Sequence, residues 1–175
     1  MSRLDELVTA DWGKAASPVI KPVMMSRGTL LSLDMAKTRL LCEEVLGFVC
    51  VATAPDRLLL RHRTDRPQKP GGGSRYWVLE VRAARDNPSP QRMSNHWGIW
   101  VPEIADVDAA YALLSANMEK YGIARAHKPR FAHEGRRDYS MYFEDTSGNW
   151  WEIDRHPEED EFIKFFHSGD WDSRA

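Results

Sequence analysis

From residue 25 onward, apolar and polar positions follow an order that occurs twice. Gly28-Thr29-Leu30-Leu31-Ser32-Leu33 has the make-up of a strand. Asp34 is placed to cap a helix over Met35–Leu46, with apolar positions 35, 41, 42, 45 and 46 on one side and Gly47 as its stop. Phe48–Ala52 and Leu58–His62 read as strands about a turn at Ala54-Pro55-Asp56, and Tyr76–Val81 as a fourth strand. A polar, proline-containing stretch over 84–94 separates this run from its second copy. Asn95–Val101 is again strand-like. Ile104, Val107, Tyr111, Leu114, Met118 and Tyr121 then mark an amphipathic helix by their 3-4 spacing, and Gly122 ends it. A short strand over Ile123–His127, a loop over Pro129–Arg137, and strands at Tyr139–Phe143 and Trp150–Asp154 complete the order.

The string predicts an α+β fold of two tandem βαβββ modules, residues 25–83 and 95–157, joined by the linker. Residues 1–24 read as an N-terminal arm. Residues 158–175 read as a tail carrying Phe162, Phe165, Phe166 and Trp171. Laying one half on the other pairs Arg27 with His96. Aligning the last strands on their aromatic pairs sets Tyr76-Trp77-Val78 against Trp150-Trp151-Glu152.

Composition narrows the class without naming a function. The 175 residues are 42% hydrophobic and 29% charged, as in soluble globular domains. A formal net charge of −2 gives no reason to invoke nucleic acid or an anionic membrane. No apolar run is long enough for a membrane span and no signal-peptide pattern opens the chain, so a cytoplasmic protein is expected. Cys42 and Cys50 lack any CxxC or zinc spacing and are expected to be reduced core residues. Gly71-Gly72-Gly73 lacks both the GK[ST] ending and the following helix of a phosphate loop, so it reads as a hairpin connection.

Candidate chemistry sits in the second module. Strand alternation puts His96, Gly98 and Trp100 on one face, and Trp150, Glu152 and Asp154 on one face of the last strand. A histidine and a glutamate set into otherwise apolar strands cost about 2–7 kcal/mol or more unless something satisfies them. Imidazole with carboxylate is part of a first-row metal site, and two histidines with one carboxylate suit non-haem Fe(II). The plainer alternative is a hydrogen-bonded core histidine and a surface glutamate.

Four stretches resemble the vicinal-oxygen-chelate superfamily, which includes glyoxalase I, fosfomycin- and bleomycin-resistance proteins and extradiol dioxygenases. They are Arg27-Gly28-Thr29-Leu30, Glu44-Val45-Leu46-Gly47-Phe48, Asn95-His96-Trp97-Gly98-Ile99-Trp100-Val101, and Tyr142-Phe143-Glu144-Asp145-Thr146-Ser147-Gly148-Asn149-Trp150-Trp151-Glu152-Ile153. The resemblance implies two βαβββ modules curling a mixed sheet into a central cup. It places metal ligands at His96 and Glu152, with Fe2+ the first expectation and Mn2+ or Zn2+ the alternatives. By likeness to the ring-cleaving dioxygenases, Tyr142 and His133 fall on residues beside the metal. The substrate class implied is a small oxygenated molecule; an inward face carrying Trp100, Trp150, Tyr76, Val78 and Leu31 suits a flat, aromatic one, and a homodimer is the expected assembly.

The departure is Arg27, which stands where the resemblance wants a histidine and cannot ligate a metal. Three readings stay open. The missing ligand comes from Glu80, His62 or a second chain. Alternatively, the metal is lost, and Arg27 binds an anion while His96 acts as a base. Or the cup is a metal-free binding module of the bleomycin-resistance kind.

Overall fold

Local capping chemistry sets the helix ends. In the computed structural model, which describes residues 28–62, 79–131 and 138–155, the Asp34 carboxylate accepts the Lys37 amide at 3.0 Å and opens α1 (Met35–Leu40). The predicted helix does not continue as α to Leu46. It widens into a π-helical turn, Leu41–Val45, closed by the Leu46 amide on the Leu41 carbonyl at 3.0 Å. That turn buries Leu41 and Cys42 while Glu43 and Glu44 keep contact with water.

The second predicted helix is also interrupted. A reciprocal Glu103–Asp106 cap opens α2 (Ile104–Ala116). Asn117 then breaks it: its side-chain amide bonds the Leu113 carbonyl at 2.9 Å, a local bond that competes with the helical ladder. One further turn, α3 (Met118–Tyr121), ends at Gly122 in the left-handed region, φ 61°.

The strands form two mixed sheets. β1 (Gly28–Ser32), β2 (Phe48–Ala54), β3 (Arg57–His62) and β4 (Leu79–Ala83) lie in the order β1-β4-β3-β2. β5 (Trp97–Trp100), β6 (Ile123–Ala126), β7 (Arg130–Phe131), β8 (Tyr139–Asp145) and β9 (Trp150–Arg155) lie in the order β5-β9-β8-β6, with β7 also on β8. In each sheet the first strand runs parallel to the last and the other pairings are antiparallel, so the repeat read from the pattern is realised in topology. β7 falls where a loop was expected. Two residues are too few to show alternation.

One face of each sheet packs under the helices. Leu30, Leu58, Leu60 and Val81 of the first sheet, and Met141, Phe143, Trp151 and Ile153 of the second, join Val107 and Leu114 of α2 in the core. Burying each such side chain contributes about 1.5–3 kcal/mol. Cys42 and Cys50 are both buried free thiols, as expected.

The turn between β8 and β9 ties the halves together. Asp145 accepts the amides of Ser147 (2.9 Å) and Asn149 (3.0 Å) and the Asn149 side-chain N–H (2.9 Å). So braced, the turn reaches into the first sheet. Asn149 Nδ2 donates to the Leu31 carbonyl at 2.9 Å, and the Leu33 amide donates to Ser147 Oγ at 2.9 Å. Asn87 of the linker donates to the Ser147 carbonyl at 2.7 Å. A second tie joins the helix ends, where Glu44 accepts from Lys120 (2.6 Å) and from the Tyr121 hydroxyl (3.0 Å).

Candidate functional site

The other face of the second sheet is where polar groups gather, and strand register sets its plan. Gly98 of β5 pairs with Glu152 of β9, which pairs with Tyr142 of β8. The His127 amide in turn bonds the Tyr142 carbonyl at 2.7 Å. One pleat along, Trp100 pairs with Asp154, Asp154 with Ser140, and Ser140 with Arg130 of β7. One pleat the other way, Trp150 pairs with Glu144 and Glu144 with Arg125 of β6. Directly opposed residues share a face, so these side chains line one surface.

His96 stands just before β5 and leans over this surface. Its Nδ1 lies 2.7 Å from the Met93 carbonyl and its Nε2 lies 2.8 Å from Glu152 Oε2. A carbonyl only accepts, so Nδ1 carries a proton and the Nε2 side is turned to the carboxylate. A lone pair on Nε2 facing a carboxylate oxygen at that distance would be repulsive. A positive centre therefore belongs there: either the second imidazole proton or a cation held by both groups. With side-chain exposures of 25% and 15%, His96 and Glu152 remain within reach of a ligand from solvent.

Tyr142 completes the cluster. Its ring meets that of His96 edge-on, centroids 5.1 Å apart. Burial raises its phenol well above the usual tyrosine range, reinforced by its hydrogen bond with Glu152 and the charge of that carboxylate. Tyr142 is thus a hydrogen-bond donor throughout the working range of an enzyme. With the folded pKa raised, the contribution is fully present below about pH 10 and is lost as pH rises further. The expected result is that Tyr142→Phe loses less stability than the wild type between pH 9 and 11. Denaturant titrations across that range check it, and equal pH slopes would contradict it.

Beside these groups the surface is open. A Cβ placed on Gly98 would meet no heavy atom within 4 Å. Trp150, by contrast, is covered by Arg125, whose Cζ is 5.5 Å from the indole, and by the His127 ring at 5.7 Å. Arg125 also pairs with Glu144 at 2.6 Å.

Register corrects the alignment of the first module. Thr29 pairs with Glu80 as Gly98 pairs with Glu152, so the counterpart of Glu152 is Glu80 and not Val78. Glu80 is almost fully buried and carries Arg82 at 3.0 Å and Arg57 at 3.3 Å among its partners. A carboxylate neutralised by two guanidinium groups is a poor candidate for the missing metal ligand. Among the described residues no group of three His, Cys, Asp or Glu side chains is arranged to hold a metal ion. His96, Glu152 and Tyr142 are thus brought together. Arg27, His133, Tyr76, Val78, the arm and the aromatic tail lie outside the described residues, as does the side chain of His62.

Sequence reasoning missed the role of Arg125, His127 and Arg130, which reach this face only through register. It also missed the Met93 carbonyl, a backbone group without a residue-type signal. The alternation of His96, Gly98 and Trp100 was the readable trace of the opening at Gly98.

The family model described as Glyoxalase/Bleomycin resistance protein/Dioxygenase superfamily matches residues 32–153. The chain belongs to this superfamily. Among solved structures of the glyoxalase fold, the fosfomycin resistance protein FosX from Listeria monocytogenes, complexed with Mn(II) and sulfate, is 13% identical with a TM-score of 0.57. That match covers 81% of this chain and 96% of FosX. A possible glyoxalase from Bacillus cereus is 18% identical over 74% of this chain and 96% of its own, with a TM-score of 0.54. A glyoxalase/bleomycin resistance protein/dioxygenase from Nocardioides is 15% identical over 83% and 90%, with a TM-score of 0.52. At these identities the likeness concerns the glyoxalase fold alone. No curated protein matches the chain.

Proposed function

We propose that the chain is a glyoxalase-superfamily enzyme that binds a divalent cation through His96 Nε2 and Glu152 and acts on a small molecule with adjacent oxygen atoms. The observation that carries this reading is the His96–Glu152 contact. Nδ1 is held by a carbonyl, and Nε2 and a carboxylate oxygen converge 2.8 Å apart beside the space above Gly98. As far as they go, these donors fit a first-row cation: one neutral imidazole, one carboxylate and a hydrogen bond that orients the ring. A bound cation would supply Lewis-acid polarisation of substrate oxygens. A mutant of FosX, crystallised with Mn(II) and 1S,2S-dihydroxypropylphosphonic acid, supports a small polyoxygenated ligand on this fold.

The chain's own residues have definable tasks. Tyr142, kept protonated, donates a hydrogen bond toward Glu152 or a substrate oxygen. Trp100, well exposed beside Gly98, bounds the opening with flat apolar surface suited to an aromatic ring. Ring cleavage of the extradiol type is the nearest specific activity, on the spacing of Tyr142 and His133 to Glu152. A further ligand would come from a second chain in a homodimer. Absence of a third ligand among the described residues and neutralisation of Glu80 by arginines favour a second reading, a metal-free binding or resistance protein.

Metal analysis separates them. Protein purified with Fe(II), Mn(II) or Zn(II) is expected to hold near-stoichiometric metal, and His96→Ala and Glu152→Ala to lose it, each by about tenfold or more in affinity. Ligand binding that survives complete chelation, with no metal retained under any condition, would leave the second reading standing.

A further inference from the structure

We infer that Arg130 is a specificity-determining residue that holds an oxyanion of the substrate, a carboxylate or phosphonate, at the far side of the surface from His96. The inference rests on the proposed site at His96 and Glu152 and adds the charge class of what binds there.

Register places three basic residues at the edge of this surface: Arg125 opposite Glu144, His127 opposite Tyr142, and Arg130 opposite Ser140. They are not equivalent. Arg125 is committed to Glu144 and lies over Trp150. The His127 ring lies against the same indole. Arg130 is exposed and makes no hydrogen bond, ion pair or cation–π contact among the described residues. Its side of β7 is settled by its neighbour. Phe131 packs against Tyr139 with centroids 4.9 Å apart, and Tyr139 bonds Asp108 of α2 at 2.8 Å, which is the helix side. Alternation then sends Arg130 to the opposite side, the one carrying Tyr142 and Glu152.

The spacing suits a short ligand. Arg130 is two strands from Glu152, about 10 Å between strand axes. Both side chains shorten that gap, leaving room for one ring with one substituent. Ser140, next to Arg130 in the same row, is buried with its hydroxyl spent on Tyr142, which leaves the guanidinium as the polar group free to reach a ligand there. Asp154 lies one strand beyond Ser140, on the side away from Arg130. A planar guanidinium with free N–H groups binds a carboxylate through two parallel hydrogen bonds.

The test uses two probes that share the chelating end and differ by one carboxylate, catechol and 3,4-dihydroxybenzoate. Binding to the whole chain with added Mn(II) is measured by calorimetry. The wild type is expected to prefer 3,4-dihydroxybenzoate by about tenfold or more. Arg130→Gln should bring that ratio to near one with catechol affinity unchanged, and Arg130→Lys should recover part of it. Catechol binding that His96→Ala abolishes, with no carboxylate preference or with a preference that Arg130→Gln retains, overturns the role of Arg130 alone. Failure of both probes to bind overturns the underlying site and this inference with it.

Discussion

Valine in place of Gly98 is expected to leave the fold intact and to weaken metal and ligand binding at His96 and Glu152 by about a hundredfold, a loss of roughly 2.7 kcal/mol. Gly98 is a strand residue without positive φ, so nothing in its backbone requires glycine. Its missing Cβ faces open space, so the first added carbon meets no heavy atom within 4 Å. Removing a strand glycine relieves an entropic cost of about 0.5–1 kcal/mol, and a β-branched residue suits the pleat. The new side chain would stand beside Glu152, its register partner, between His96 and Trp100 on the same face. Blocking there removes the volume in which a cation or substrate oxygen would sit. Thermal melts should show an unchanged or slightly raised midpoint while calorimetry shows the loss. Retained binding in a folded Gly98→Val protein would mean that the ligand site lies elsewhere.

Asp145→Ala is expected to be the most damaging single change to stability, costing about 3–5 kcal/mol. The carboxylate collects the amides of Ser147 and Asn149 and the Asn149 side chain in a buried turn. Its loss leaves several buried donors unpaired and frees Asn149, which holds the Leu31 carbonyl of the first sheet. Burial itself works against the charge and pushes the Asp145 carboxyl up, with the hydrogen bonds from Asn149, Trp151 and Ser147 pulling the other way. Asp145→Asn keeps the shape and one acceptor oxygen, so it should cost less than alanine. Asn149→Ala, which breaks the bond to Leu31 but spares the two amide bonds and the Leu33–Ser147 tie, should cost about 2 kcal/mol. Denaturant unfolding measures all three. A loss below about 0.5 kcal/mol in Asp145→Ala, the size of an ordinary surface change, would contradict the account.

These two cases divide the acidic-turn motif from the site it precedes. Asp145 to Asn149 reads in sequence like part of a functional signature, yet its polar groups are spent on joining the halves. Glu152, three residues later, is the one that faces His96. The motif is legible because the join needs these residue types at fixed offsets around a tight turn, with Gly148 at φ 79°.

Local signals of this kind are legible along the chain because their causes are short-range. The cap at Asp34, the stops at Gly47 and Gly122, the doubled β-α-β-β-β order and the sharing of one face by His96 and Gly98 all depend on neighbours a few residues apart. Which strand residues stand opposite one another is set by long-range pairing within the sheets. A shift of two residues keeps every side chain on its face, so alternation could not tell Val78 from Glu80 as the counterpart of Glu152. The same degeneracy hid Arg130. Nothing in a polar loop pattern shows that two of its residues join β8 opposite Tyr139 and Ser140, and pairing alone brings that guanidinium to the surface of Tyr142 and Glu152.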